Sequence, residues 1–559
     1  MRPIKTAIYL TCFVYSILAF RAVWLHMTPA STLSSLADRQ YEARIELAPY
    51  RGTVFDHKKN PLAISIRSPS IAMNPKTFSA TPRNITLLAR ALKIPKRKIR
   101  KISKKEKYFA WLQRKVSHTV ASKIKSYNIP GVFEIIEPSR FYPNHGIAPH
   151  LIGYVGIDNV GLLGLESSYE SHLRGEPMKI MRSRDARGKP IFLSTAFATP
   201  EVPGHNIHLT LDQVIQEISQ TALKKGVKAS KAKSGFAIVL DPHTGNILAL
   251  ANEPSFDPND WRHINWSTTR NHALADRYEP GSVLKPIVLA QALEQRKVDI
   301  NEQIECFNGR LALEKGRIHD DHPYPSLSAE DVLVYSSNIG IYQIANRLGA
   351  HSLTTGFNAF GLSGHSRLHL PEEAHGKTPN LPWSDLKLAN IAFGQGLSTV
   401  GLEIATAYAV LANGGRYVAP RLVKSIESSH TGVTQTTLPG LNTTVVSPAT
   451  ALQIRRALHQ VVKRGTGKRA QAPSYEVAGK TGTSEKFDLK TRQYSENKRI
   501  ASFAGFAPAL DPHIVVYVVI DEPSKKPYYG GVWAAPVFAE IVEQSLRYLN
   551  VAPQRDSQS

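Results

Sequence analysis

The uncharged run Thr6–Phe20 constrains this chain more than any other stretch. Arg2 and Lys5 precede it, and after Arg21 the sequence continues Ala22-Val23-Trp24-Leu25-His26-Met27. A helix needs about 20 residues to cross a bilayer, so the span reaches full length if Arg21 lies near the outer face and extends its charge into the headgroups. Positive charge ahead of the span places the N-terminus in the cytoplasm. No Ala-x-Ala site follows at a suitable distance, which favours an uncleaved anchor over a removed signal peptide. In either case the bulk of the chain leaves the cytoplasm.

An exported chain could be stapled by disulfides, but here Cys12 lies inside the apolar run and Cys306 is the only other cysteine. The fold must therefore hold by core burial. A chain of 559 residues, 42% apolar and 8% aromatic, has material for at least two folded modules. The net charge of +24 implies attraction to an anionic surface: nucleic acid, phospholipid headgroups or an acidic wall polymer. Export argues against nucleic acid. Neither cysteine has the neighbours of a zinc site, and the histidines show no His-x-x-x-His pair beside a glutamate, so no metal and no cofactor is expected.

Beyond a short linker, Thr53-Val54-Phe55 and Pro61-Leu62-Ala63-Ile64 flank a polar turn and read as a hairpin. Residues 84–128 read as helical, with Leu88, Leu92, Ile94, Ile99 and Ile102 threaded through a basic run of Lys93, Lys96, Arg97, Lys98, Arg100, Lys101, Lys104, Lys105 and Lys107. That run reads first as a solvated helix face, and second as a patch for lipid headgroups or anionic wall polymer. Strands and turns are expected over 133–215. From Gln213 a second module starts with a helix, then a hairpin from Gly235-Phe236-Ala237-Ile238-Val239-Leu240 to Asn246-Ile247-Leu248-Ala249-Leu250. Strands recur near 476–486, 501–507 and 514–520, followed by a helix over 536–549. Strands from both ends of this module around a helical middle predict an α+β fold, one antiparallel sheet covered by helices.

Within that module three strings stand in order: Ser282-Val283-Leu284-Lys285, Ser336-Ser337-Asn338 and Lys480-Thr481-Gly482-Thr483. Singly they are weak, because Ser-x-x-Lys also occurs at Ser122/Lys125, Ser230/Lys233, Ser384/Lys387 and Ser495/Lys498. Only Ser282 follows a turn signal, Glu279-Pro280-Gly281, and leads into an apolar helical stretch. Together the strings are the residue kit of a serine acyl-transferase with a lysine base. A serine hydroxyl needs a base within reach, and on a helix Lys285 shares a face with Ser282. Burial and a second cation, Lys480, would both lower the Lys285 pKa toward the neutral amine that a base requires. Ser336 could relay a proton, and the Asn338 amide could hold the base or a substrate carbonyl. Lys480, Thr481 and Thr483 could bind a substrate carboxylate, with Gly482 leaving room for substrate along the strand edge. The backbone N–H groups of Ser282 and Thr483 could form an oxyanion hole.

With these motifs the chain resembles class B penicillin-binding proteins, the monofunctional peptidoglycan D,D-transpeptidases. The resemblance extends to Arg51-Gly52-Thr53-Val54-Phe55-Asp56, Arg140-Phe141-Tyr142-Pro143, Gly164-Leu165-Glu166, Leu240-Asp241-Pro242, Gly394-Gln395-Gly396 and Ala412-Asn413-Gly414-Gly415. Tyr528-Tyr529-Gly530-Gly531 and Ala535-Pro536-Val537-Phe538 look most like the septal, cell-division branch. It implies a cytoplasmic N-terminus (1–5), a membrane anchor (6–27), a linker (28–47), a β-rich pedestal of the dimerisation type (48–212), a serine β-lactamase-like transpeptidase domain (213–550) and a tail (551–559). It also implies that Ser282 attacks the D-Ala-D-Ala carbonyl of a stem peptide, releases D-Ala and is acylated by β-lactams. Partners would be peptidoglycan stem peptides, a membrane glycan polymerase and other divisome proteins, at the inner membrane with the bulk of the chain periplasmic. The family usually has Asp-Arg where this chain has Asp56-His57, which puts a pedestal contact in doubt. Two other functions fit the same residues: a β-lactam hydrolase of this fold, for which no deacylating base is evident, and a non-enzymatic penicillin sensor or divisome scaffold.

Overall fold

The structure, a computed structural model, describes residues 2–27, 42–47, 49–184, 190–192, 202–260, 262–364, 368–437, 440, 442–488 and 493–554. Most of the expected linker, residues 28–41, and the last five residues of the expected tail lie outside it. Helix Arg2–Met27 carries the apolar run, and its stretch Ile4–Trp24 is long and apolar enough to cross a membrane. The Arg21 guanidinium sits 4.9 Å over the Trp24 ring, which draws the charge toward the C-terminal end of the helix.

The first module is built on strands β1 (Val54–Phe55), β2 (Pro61–Met73), β3 (Ala110–Gln113), β4 (Val132–Phe141) and β5 (Asn206–Leu209). The buried Asp56 carboxylate accepts from the N–H groups of Lys58 (2.9 Å) and Asn60 (2.8 Å), which closes the expected β1–β2 hairpin. The long strand β2 is the spine: β4 pairs with it from Ile64↔Phe141 to Met73↔Val132, and β3 joins at Ile71–Met73. The expected helical stretch 84–128 is corrected here. Helices Pro82–Leu92, Lys96–Ser103 and His118–Ser126 are present, but β3 interrupts them. Phe109 and Trp111 favour a pleated surface, and β2 offers this segment a pairing edge. The strand Val423–Glu427 from the second module pairs with β5, so the first sheet is completed by residues far along the chain.

Three strings quoted above converge in this module. Arg51 pairs with Glu166 (2.8 Å) and Glu170 (2.6 Å), and Arg140 holds the other Glu166 oxygen (2.6 Å) while donating to Gly52 O (2.8 Å). Arg51, Arg140 and Glu166 are all buried, so each charge is compensated where water is excluded.

The second module holds a five-stranded antiparallel sheet in the order β7-β6-β10-β9-β8, where β6 is Ser234–Leu240, β7 Ile247–Glu253, β8 Ala478–Asp488, β9 Gln493–Ala507 and β10 Ile514–Asp521. Alternation builds two cores. Val515, Tyr517 and Val519 face helices Lys285–Glu294, Gly401–Ala412 and Pro448–Lys463, while Val516, Val518 and Ile520 face helices Gln213–Ser230 and Gly530–Tyr548. The fold is thus α+β, an antiparallel sheet covered by helices. The modules join at Asp212, which caps helix Gln213–Ser230, accepts from Tyr548 OH (3.0 Å) and pairs with His57 (3.5 Å). His57 therefore has a partner across the junction within the chain.

Candidate active site

Ser282 lies in a one-turn 3₁₀ segment, Gly281–Leu284, that runs straight into helix Lys285–Glu294. In this tighter winding residues three apart eclipse, so Lys285 stands over Ser282, and the Lys285 N–H donates to Ser282 O. Two glycines permit the turn. Gly281 (φ +63°) donates to Gly394 O (2.9 Å), and a Cβ on Gly394 (φ +86°) would lie 2.1 Å from Gly281 O. Among the described residues no side-chain hydrogen bond occupies the half-buried Ser282.

Lys285 Nζ donates to Ser336 O (2.6 Å), Ser336 Oγ (3.2 Å) and Asn338 Oδ1 (2.7 Å). Ser336 adopts a left-handed backbone (φ +62°) that presents both its oxygens to the amine, a conformation rarely taken by serine. The third string closes the group: Lys480 Nζ donates to the same Ser336 Oγ (2.9 Å). One hydroxyl thus bridges two buried amines. Asn338 Nδ2 donates to His319 O (3.0 Å), so of the two uses expected for that amide the geometry fits holding the base.

Burial lowers Lys285 from the usual lysine range to about 7, against the opposing pull of Asp320 and Asp321. Burial also pushes Lys480 well down, and the neighbouring Lys285 charge pushes it further. The repulsion between the two amines is mutual, so each favours the neutral form of the other. Two amines sharing Ser336 Oγ in a dry site do not both stay protonated at neutral pH.

The strand carrying Lys480, β8, is the sheet edge. Thr481 Oγ1 meets Thr466 Oγ1 (2.9 Å), and Thr483 Oγ1 accepts from Gly530 N (3.2 Å), which ties Tyr528-Tyr529-Gly530-Gly531 to this strand. A Cβ on Gly482 would lie 2.4 Å from Ser502 Oγ and 3.0 Å from Pro280 O. The absent side chain of Gly482 thus makes room for Ser502 and for the turn that carries Ser282. Glu279, just ahead of that turn, accepts from Gly396 N (2.9 Å) and Tyr494 OH (3.0 Å) at a cavity of about 480 Å³, and burial raises its pKa.

All the predicted residues, Ser282, Lys285, Ser336, Asn338, Lys480, Thr481, Gly482 and Thr483, fall in this one region. The family model "Penicillin binding protein transpeptidase domain" matches residues 235–543, and "Penicillin-binding Protein dimerisation domain" matches 46–209. The chain belongs to the penicillin-binding protein transpeptidases. It is 32% identical over 541 residues to PenA of Neisseria meningitidis serogroup A, named a probable peptidoglycan D,D-transpeptidase, covering 96% of this chain and 90% of that one. It is 31% identical over 545 residues to the peptidoglycan D,D-transpeptidase FtsI of Escherichia coli, covering 95% and 89%. Among solved structures, penicillin-binding protein 3 of Mycobacterium tuberculosis complexed with aztreonam superposes with a TM-score of 0.71 at 26% identity, covering 91% and 98%.

Sequence reasoning missed one residue of this penicillin-binding protein's site. Asp320 accepts from Ser337 Oγ (2.6 Å) and from the N–H groups of Asn338 and Ile339 (3.0 Å for the latter). It thereby holds the Ser-Ser-Asn turn and the N-terminus of helix Asn338–Leu348, where Ser337 Oγ accepts from Gly340 N (2.8 Å). The Asp320-Asp321 pair follows a two-stranded hairpin over Arg310–Leu313 and Gly316–His319, with no local signal that it folds back on residue 337.

Proposed function

We propose that this chain is a peptidoglycan D,D-transpeptidase that crosslinks stem peptides during septal wall synthesis through an acyl-enzyme on Ser282. The observation that carries the reading is the bridge Lys285 Nζ–Ser336 Oγ–Lys480 Nζ beside the Ser282 turn. Ser282 Oγ attacks the carbonyl of the penultimate D-Ala while its proton passes to the neutral Lys285 amine. The negative charge on the carbonyl oxygen is met by the N–H groups of Ser282 and Thr483. As the C–N bond breaks, the terminal D-Ala amine leaves with a proton relayed through Ser336 Oγ. An amine of a neighbouring strand then attacks the Ser282 ester, gives its proton back along the same path, forms the new amide and frees the Ser282 hydroxyl. Lys480 and the threonines of β8 hold the terminal carboxylate of the donor.

The septal assignment draws on the Tyr-Tyr-Gly-Gly string packed on β8 and on the name of the FtsI relative. The apolar helix Ile4–Trp24 supports a single-pass anchor in the inner membrane, with the bulk of the chain outside the cytoplasm and a separate glycan polymerase and other division proteins as partners. The test is reconstitution of the full chain in membranes with a glycan polymerase and lipid-linked pentapeptide precursor. Crosslinked muropeptide dimers and free D-Ala, both absent with Ser282→Ala, are expected. D-Ala or penicillin turnover without dimers would make the chain a hydrolase. Normal septation in cells carrying only Ser282→Ala would make it a scaffold.

A further inference from the structure

The basic run has no part in the site described above. From Ser79 to Asn128 the chain carries fifteen lysines and arginines against one carboxylate, Glu106, which is more than half of the whole chain's net charge of +24. Helix Lys96–Ser103 buries only Ile99 and Ile102 against the pedestal, so its cations project outward. Lys96, Lys98, Lys101, Lys104, Lys105 and Lys107 are all exposed, and among the described residues none has an ion-pair partner. A solvated helix face ordinarily mixes signs, because uncompensated like charges repel.

The position of this lobe is as telling as its charge. It hangs from the Met73 end of β2, where Ile71 and Met73 enter its core. The helices Gln213–Ser230 and Gly530–Tyr548 of the catalytic module meet the opposite end, at the Asp56–Asn60 turn, while near the lobe the module reaches Arg114, through a bond from Arg262 (3.3 Å). The length of β2 between them is about 40 Å. The chain coming from the anchor joins β2 midway, where Arg51 N–H donates to Ser65 Oγ (3.0 Å). None of the exposed lysines of helix Lys96–Ser103 has a hydrogen bond or ion pair to the catalytic module among the described residues.

We propose that this lobe docks on the anionic phospholipid headgroups of the leaflet from which the chain emerges, an inference that rests on the first helix being a membrane anchor. The surface is built mainly from lysines, which act as hydrated point charges rather than as forks for a shaped ligand. A diffuse planar field of phosphates matches it better than a polymer needing a groove. Partly exposed aromatic rings border it: Lys76 lies 4.2 Å over Tyr108, and Phe109 packs edge-on at 5.0 Å against Trp111. Basic side chains beside amphipathic rings are the composition of a membrane-interface surface. The peptide steps from Met27 to Glu42 span at most about 50 Å, which keeps the lobe within reach of the bilayer at high effective concentration. Docking would fix the tilt of the pedestal and hence the height at which the cleft meets the wall.

The test uses the full chain in nanodiscs of phosphatidylcholine with and without phosphatidylglycerol, pulsed with an acetylating reagent and read by mass spectrometry. Acetylation of Lys96, Lys104 and Lys107 is expected to slow several-fold in the anionic discs, relative to the exposed Lys297 and Lys315 on the catalytic module, and to recover in high salt. The triple variant Lys98→Glu, Lys101→Glu, Lys105→Glu should lose that protection while still taking up benzylpenicillin, which shows that it is folded. Equal rates in both disc types would overturn docking and leave the anchor standing. Failure of the chain to incorporate into discs would remove the anchor and the proposal with it. Protection in neutral discs by added soluble glycan strands, with none from phosphatidylglycerol, would assign the patch to wall polymer instead.

Discussion

Replacing Asp320 by Asn separates the electrostatic work of this residue from its shape. The amide keeps an acceptor for the Asn338 and Ile339 N–H groups but removes the negative charge that raises the Lys285 pKa. Both groups contact Asn338, so their charges are on the order of 7 Å apart, and at an effective dielectric constant near 20 their attraction is about 2 kcal/mol. Relaxation and the remaining Asp321 reduce the net effect to about one pKa unit. The sign follows from which form the charge favours: without the carboxylate the protonated amine is less stable, so Lys285 titrates below its present value of about 7. The assay is the second-order rate of acylation by a chromogenic β-lactam as a function of pH. In the parent protein the acidic limb should fall near pH 7, and in Asp320→Asn it should move down by about one unit. Exchanging charge-assisted for neutral hydrogen bonds should also cost about 1–2 kcal/mol of stability. A limb that stays in place or moves up, in a variant that still folds, would refute Lys285 as the group whose deprotonation admits acylation.

Three further substitutions probe the frame around the site. Gly394→Ala places a Cβ 2.1 Å from Gly281 O and forces φ +86° on an L-residue, so acylation should fall by more than about 100-fold while the far-UV spectrum is unchanged. Glu166→Ala strands the buried Arg140 and leaves Arg51 with Glu170 alone, and should cost about 3–5 kcal/mol in denaturant unfolding; a loss below about 1 kcal/mol would show that the cluster is not desolvated as described. Glu403, which caps helix Gly401–Ala412 and accepts from Gly376 N (2.9 Å), has its pKa raised by burial to about 7. A carboxyl raised on folding gives stability that is full below its unfolded pKa of 4.5 and is lost as pH rises through about 7. Thermal stability should therefore rise as pH falls from about 8 to about 6, and Glu403→Gln should flatten that rise.

The three strings that meet in the candidate site were legible because each is a local pattern: a serine and lysine three apart, a polar triplet after an apolar run, and a lone Lys-Thr-Gly. The continuous apolar runs of Ser234–Leu240 and Ile514–Asp521 likewise announced a sheet covered by helices. What stayed hidden depends on contacts between distant segments. Asp320 matters only because a hairpin returns it to Ser337, and Gly394 only because its backbone presses on Gly281. The strand Ala110–Gln113 escaped because its neighbours carry helical periodicity, and it is the free edge of Ile71–Met73 that decides its state. That Ser282 opens a buried helix was legible, but the 3₁₀ winding of its first turn was not, since it reflects Gly281 and Pro280 held by the Gly394 carbonyl.

The measurement that tests the central claim most directly is the intact mass of the full chain after incubation with benzylpenicillin, with peptide mapping and Ser282→Ala alongside. A single long-lived adduct on Ser282 that the variant lacks is the predicted result. An adduct on another residue, an adduct retained by Ser282→Ala, or no adduct on protein shown to be folded would contradict Ser282 as the nucleophile.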